Sequence, residues 1–285
     1  MDSSPGNESR SGRKHHWSYS KSTAYDACPL KVFFRGSASD ESSVGTGESS
    51  RPVNLNAIVG IAVHRGIASQ VDEWAAGGSA TYVGAKEAAE EWIEDIWDIR
   101  DERVIEAING EQLSAGRRRK FIGISKRYLR TFFKAIWPEF RDHKYVLHED
   151  LQRFEVRGNP VYVKVDFCTR DQNDNLVITD WKTSKPPILE FESLQLNVYG
   201  LWARECMESD INKIKIQFGH TRTGGTPSHS VASEDLDDVA EQIEQECREW
   251  NEKDGIDDYP ADPGTEKCHG CQFLKRCDAG QATVD

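Results

Sequence analysis

The stretch VITDWKTSK, residues 177–185, closes an apolar run with Asp180 and Lys182 two positions apart. In a strand, residues i and i+2 share a face, so this carboxylate and ammonium stand side by side while Trp181 points away. Such a pair has two chemistries. It can be an exposed ion pair of small energetic weight, or a metal ligand next to a charge-stabilising cation. Asp166, in VKVDF, lies near the end of the preceding strand, and the turn DQNDN joins the two. The strands should pair and the two carboxylates converge. With the carbonyl of Trp181 as a third oxygen, they make a hard-donor set suited to Mg²⁺ or Mn²⁺. Lys182 would face the same site.

These residues need elements to hold them. SYSKSTAYDACPLKVFF reads as a helix begun by Ser18 or Ser20 and ended by Pro29; residues 35–52 read as a polar loop. Helical patterns follow from Asn54, around residues 84–109, and over 117–137. The last of these has Phe121, Ile124, Tyr128 and Phe132 at helical spacing and stops at Pro138. Alternation then predicts strands at YVLHEDLQRFEV, PVYVKVDFCTR and LVITDWK. A helix over EFESLQLNVYGLWARECM, a strand over INKIKIQFGH and a long helix from Ser233 complete the order. The expected fold class is α/β: a mixed sheet flanked by helices, with a helical insertion over 54–140 before it. No internal repeat is present.

Composition bounds the function. The 285 residues include eight Trp and 37% hydrophobic residues, enough for a real core. No apolar run reaches the length of a membrane span. Residues 1–16 have no apolar segment of the secretory type and read as a disordered tail, with the cytosol as the expected compartment. The net charge of −12 taken alone speaks against nucleic acid. Its distribution matters more. Residues 116–138 contain no acid, and Arg118, Lys126 and Arg130 belong to a basic strip with aromatic neighbours. That strip is either a solvated helix face or a track for phosphates and bases. No G-x-x-x-x-G-K-[ST] loop occurs, so no helicase motor is expected.

Asp166, Asp180-Trp181-Lys182, and then Gln195 and Tyr199 in LQLNVYG together resemble the PD-(D/E)XK nuclease superfamily, and within it the RecB-like branch with its Q-x-x-x-Y helix. Gln195 and Tyr199 are i, i+4 and share one helical face. Gly60 and His64 in GIAVHRGIA resemble the G-x-x-x-H motif of that branch. The resemblance spans about Ser18 to Cys277. It implies a restriction-endonuclease-like sheet, His64, Asp166 and Asp180 as ligands of Mn²⁺ or Mg²⁺, Lys182 on the attacked phosphate, and Gln195 and Tyr199 positioning DNA. One position departs: the family often has glycine three residues before the first metal aspartate, and this chain has Val163.

Seven cysteines, an odd number in a chain expected to be cytosolic, make a disulfide framework the wrong reading. Cys28 lies far upstream of Cys268, Cys271 and Cys277 in CHGCQFLKRC. Four thiols can bind zinc or an iron–sulfur cluster. A zinc ribbon usually has two C-x-x-C pairs, and here the arrangement is one plus three. It resembles the iron–sulfur subgroup of RecB-like nucleases, which includes the CRISPR-associated exonucleases, where a 4Fe-4S cluster ties the C-terminus to the N-terminal segment. Cys168, Cys206 and Cys247 read as ordinary buried or half-buried thiols. The resemblance therefore implies a metal-dependent exonuclease acting on DNA ends, single-stranded ones above all, in repair, recombination or CRISPR adaptation. Two rivals remain open: a DNA-end-binding subunit of a larger complex with protein partners, and a zinc-stapled nucleic-acid-binding protein without catalysis.

Overall fold

The computed structural model describes residues 15–38, 53–54, 57–98, 104–105, 115–184, 193–208, 210–229 and 231–284. The tail expected over 1–16 and the loop expected over 35–52 lie largely outside these residues. His15 and His16 fall inside them, and Trp17 is fully buried and bridges to Val161.

The first helical stretch is two helices, α1 (Tyr19–Ala27) and α2 (Pro29–Ala38). Pro29 marks the end of α1, as expected from the sequence, but does not end the helical stretch. It opens the second, where its fixed φ and missing N–H cost nothing. Cys28 is thereby left at the junction. A short parallel pair, β1 (Val53–Asn54) and β2 (Val104–Ile105), accompanies a three-helix layer of α3 (Ile58–Ala75), α4 (Tyr82–Asp98) and α5 (Ala115–Thr131). The first half of the α5 pattern is out of phase with expectation. Tyr128 and Phe132 are buried as expected, whereas Phe121 and Ile124 are only partly buried and Ile122, Ser125 and Leu129 face inward beside them. Aromatic residues on both sides of the true stripe blur its phase. A π turn over Phe132–Ile136 and a 3₁₀ turn over Trp137–Phe140 end the layer at Pro138.

The sheet has the order β3-β4-β5-β6-β7, built from β3 (Lys144–Val156), β4 (Asn159–Arg170), β5 (Leu176–Lys182), β6 (Ile214–His220) and β7 (Ser228–His229). β3, β4 and β5 form an antiparallel meander. β6 then runs parallel to β5 after the crossover helix α6 (Ser193–Cys206). A central strand covered on both faces should be apolar throughout, and β5 is buried from Leu176 to Trp181. One face of the sheet carries α6 and α7 (Ser233–Asn251). The inward stripe of α7, Leu236, Val239, Ala240, Ile243, Cys247 and Trp250, follows the helical repeat. The other face carries α3 and α5 through Val177, Phe167 and Trp181. Val163 packs into the α6/α7 core at 5% exposure, so its side chain does not crowd the site. The chain closes with α8 (Thr265–His269) and α9 (Asp278–Val284).

Candidate active site

β4 and β5 pair with Phe167 opposite Thr179, which brings Asp166 and Asp180 to the same end of neighbouring strands. The Trp181 backbone lies between them. Its N–H donates to Asp166 Oδ2 at 2.9 Å, and its carbonyl accepts from His64 Nε2 at 2.8 Å. His64 comes from α3. That helix approaches the strand end closely because Gly60 has no side chain: a Cβ there would sit 3.3 Å from Thr183 Oγ1.

A carbonyl can only accept, so His64 Nε2 carries a proton. Nδ1 then faces two carboxylates, Glu149 Oε1 at 3.3 Å and Asp166 Oδ2 at 3.6 Å. Burial alone would lower the His64 pKa, but Asp166, Glu149 and Asp180 outweigh it and raise it to about 9. The three carboxylates thus favour a positive charge at this position. Burial raises the Asp166 carboxyl against the opposing pull of His64, and Asp180 and Glu149 push it further up. Glu149 goes the other way. Burial is overcome by hydrogen bonds from His64 and Lys164, and the carboxyl falls to about 2.

Glu149 had no role in the sequence reading. Among the described residues, His64, Glu149 and Asp166 are the group of metal-capable side chains whose ligand atoms all approach within 4.8 Å. Glu149 adopts a left-handed φ of 47° on β3, a conformation non-glycine residues adopt sparingly and often for function. Asp180 stands outside that group, on the α6 side. Its Oδ1 accepts from Gln195 Nε2 and from the Tyr199 hydroxyl, each at 3.0 Å. Gln195 Oε1 accepts from Lys182 Nζ at 2.9 Å. The i, i+4 pair therefore grips both charged residues of the D-x-K step. The Tyr199 hydroxyl has one proton and two acceptors, Asp180 Oδ1 and the Lys164 carbonyl at 3.0 Å. Burial, then Asp180, holds its pKa well above the ordinary value.

Asp180 Oδ2 is the informative atom. It is buried and forms a 2.8 Å ion pair with Lys182 Nζ. A buried carboxylate is costly unless paired, and Lys182 supplies that pairing. Beside that ion pair, Glu149, Asp166, His64 and the Trp181 carbonyl offer the donors that a hard divalent ion takes.

The basic strip on α5 is partly committed elsewhere. Lys126 pairs with Glu90 of α4 at 2.6 Å, Arg130 lies over the Tyr82 ring, and Arg118 is half-buried. At the far end of the chain, Cys28, Cys268, Cys271 and Cys277 line one cavity. No cysteine forms a disulfide. Backbone N–H groups of Asp262, Gly264 and Gly280 donate to the sulfurs of Cys28, Cys268 and Cys277 at 3.3–3.4 Å. A Cβ at Gly280 would meet Cys277 Sγ at 3.4 Å and Cys268 Sγ at 3.6 Å. Cys168 and Cys247 are buried as expected, whereas Cys206 is exposed.

A family model for the PD-(D/E)XK nuclease superfamily matches residues 16–278, and the chain belongs to that superfamily. A search of curated proteins gives no match. Membership implies a nuclease that uses a divalent metal and binds DNA. No helix among the described residues is long and apolar enough to cross a membrane.

Proposed function

We propose that this member of the PD-(D/E)XK nuclease superfamily is a metal-dependent DNA exonuclease of the RecB-like iron–sulfur branch, working on single-stranded ends as one nuclease domain over residues 17–285. The observation that carries the catalytic part is the gathering of His64, Asp166 and Glu149 around the Trp181 backbone, next to the buried Asp180–Lys182 ion pair. Asp166, Asp180, His64 and the Trp181 carbonyl would hold Mn²⁺ or Mg²⁺, with Glu149 as an added oxygen donor. The ion supplies Lewis-acid polarisation of the phosphate and a more acidic water nucleophile. Lys182 offsets negative charge that grows on the phosphoryl oxygens. Gln195 keeps Lys182 in place, and Tyr199 fixes the Asp180 carboxylate. Trp181, packed against Phe132 and Phe167, holds the backbone between the two aspartates rigid.

The cysteine cavity supports a cluster over zinc. A tetrahedral zinc site with Zn–S near 2.3 Å needs thiolates about 3.8 Å apart. No three of the four sulfurs lie mutually within 4.8 Å. A 4Fe-4S cluster spans a wider cage and suits four spread thiolates, and the N–H donors favour their charged form. The cluster would staple α1–α2 to the C-terminal segment. The setting would be DNA repair, recombination or CRISPR adaptation, within the cytoplasm.

The test is degradation of end-labelled single-stranded DNA with Mn²⁺ by anaerobically purified protein, wild type beside Asp180→Ala. Activity in wild type, lost in the brown variant, is expected. DNA that wild type binds without cutting would overturn the catalytic reading and make the chain a DNA-end-binding subunit. Colourless protein with zinc in the cysteine cavity would overturn the cluster.

A further inference from the structure

The β3–β4 hairpin extends past the metal-capable group with one face against the α6/α7 core and the other outward. Val161, Val163 and Val165 point inward. Strand alternation puts Tyr162 and Lys164 on the opposite face. Across the ladder, Arg153 pairs with Tyr162 and Leu151 with Lys164, so these side chains share that face. Arg153, Leu151 and Lys164 are exposed, and Tyr162 is half-buried. The face is not a bland hairpin surface. His16 stacks on Tyr162 with centroids 4.6 Å apart and planes 11° from parallel, and the Arg153 guanidinium lies 5.1 Å from the same ring centroid. Among the described residues Arg153 has no carboxylate partner. Lys164 continues the line to the site through its ion pair with Glu149.

We infer that the outward face of the β3–β4 hairpin is a track for single-stranded nucleic acid, with the His16–Tyr162–Arg153 stack as its base platform and Lys164 leading the backbone to the metal-capable group. Tyr162 is four residues from Asp166, about 13 Å along the strand at 3.3 Å per residue. That distance lets one strand occupy the stack and the site together. Flat rings and a guanidinium take any base on their outer surfaces, while the cations take phosphates; this is how single strands are held without sequence readout. A duplex hides its base faces and gains nothing from such a platform. The inference rests on the nuclease reading for the direction of the track, not for the binding itself.

The test is fluorescence anisotropy of labelled oligo-dT and of a duplex of equal length, with no added divalent metal. Wild type is compared with Arg153→Glu, Tyr162→Leu and Tyr162→Phe. Arg153→Glu and Tyr162→Leu should each weaken oligo-dT binding by about tenfold, with little change for duplex. Tyr162→Phe keeps the ring and should bind like wild type, which separates stacking from a folding defect; melting curves check the fold. Unaltered oligo-dT affinity in both disruptive variants overturns the track, and so does an equal loss for duplex. Hydrolysis of thymidine 5′-(p-nitrophenyl phosphate) by wild type with Mn²⁺ is the separate check on the nuclease reading, since so small a substrate does not need the track.

Discussion

Asp180 is held by three groups, and each does different work. Tyr199 and Gln195 satisfy Oδ1, and Lys182 pairs with Oδ2. Removing the Tyr199 hydroxyl frees the carboxylate to rotate. Tyr199→Phe should lower kcat by about tenfold or more, the usual loss when a group that orients a ligand is removed; single-turnover kinetics at saturating Mn²⁺ would read it. Glu149 is tested through the metal instead. If it donates an oxygen, Glu149→Gln should weaken Mn²⁺ binding by about tenfold or more by calorimetry. If its only partners are Lys164 and His64, the affinity would hold. Glu149 was invisible beforehand because nothing local marks it: it sits in LHEDL, 17 positions before Asp166, and only the hairpin register brings it to His64. Asp180, Lys182, Gln195 and Tyr199 were legible because each pair is separated by the period of its own element, two in the strand and four in the helix.

Strands and their turns set how those side chains meet. In the β4–β5 turn, Asp171 accepts the backbone N–H groups of Asn173 and Asn175, the Asn175 side chain, and Lys215 Nζ at 2.6 Å. Hydrogen bonds from Asn175 and Lys215 outweigh burial and hold its pKa far below the ordinary carboxylate value. A depressed folded-state pKa contributes stability above the unfolded value, near 4, and loses it as pH falls further. Asp171→Ala should therefore cost about 1–3 kcal/mol at pH 7, and the gap to wild type should close below about pH 4. Denaturant melts at the two pH values would measure it. Gly219 on β6 lies under Trp181, where a Cβ would come within 2.3 Å of the indole. Gly219→Ala must push Trp181, whose N–H and carbonyl both serve the site. A loss of about 1–3 kcal/mol is expected, with cleavage falling too; a variant as stable and active as wild type would show that the indole moves freely. The first half of the α5 stripe, by contrast, falls one position from expectation, and Pro29 opens a second helix where only an end is expected. Both errors come from rules that fix an element's presence better than its phase or boundary.

The cysteine cavity joins residues more than 230 positions apart. Closing so long a loop restricts the unfolded chain strongly. If the proposed cluster sits there, Cys28→Ser should remove its visible absorbance and lower Tm by on the order of 5 °C or more. A coloured variant of unaltered Tm would exclude Cys28 from the site. The two ends are also tied without sulfur, since the Trp17 indole and Ser22 hydroxyl both donate to Glu246 on α7. Loss of Cys28 should therefore loosen the N-terminal helices and leave the sheet folded.

The sequence by itself determined the α/β order of elements, the D-x-K and Q-x-x-x-Y steps, the helical His64, and the one-plus-three cysteine pattern. All of these are set by residue type and by periods that backbone geometry imposes within one element. Tertiary structure alone decided what crosses between elements. It brought Glu149 to His64, turned Val163 into the core, paired Lys126 with Glu90, and set Gln195 between Asp180 and Lys182. Those outcomes depend on strand register and on which helix face the core selects. Both are settled by burial summed over the fold, and no short window of sequence contains that sum.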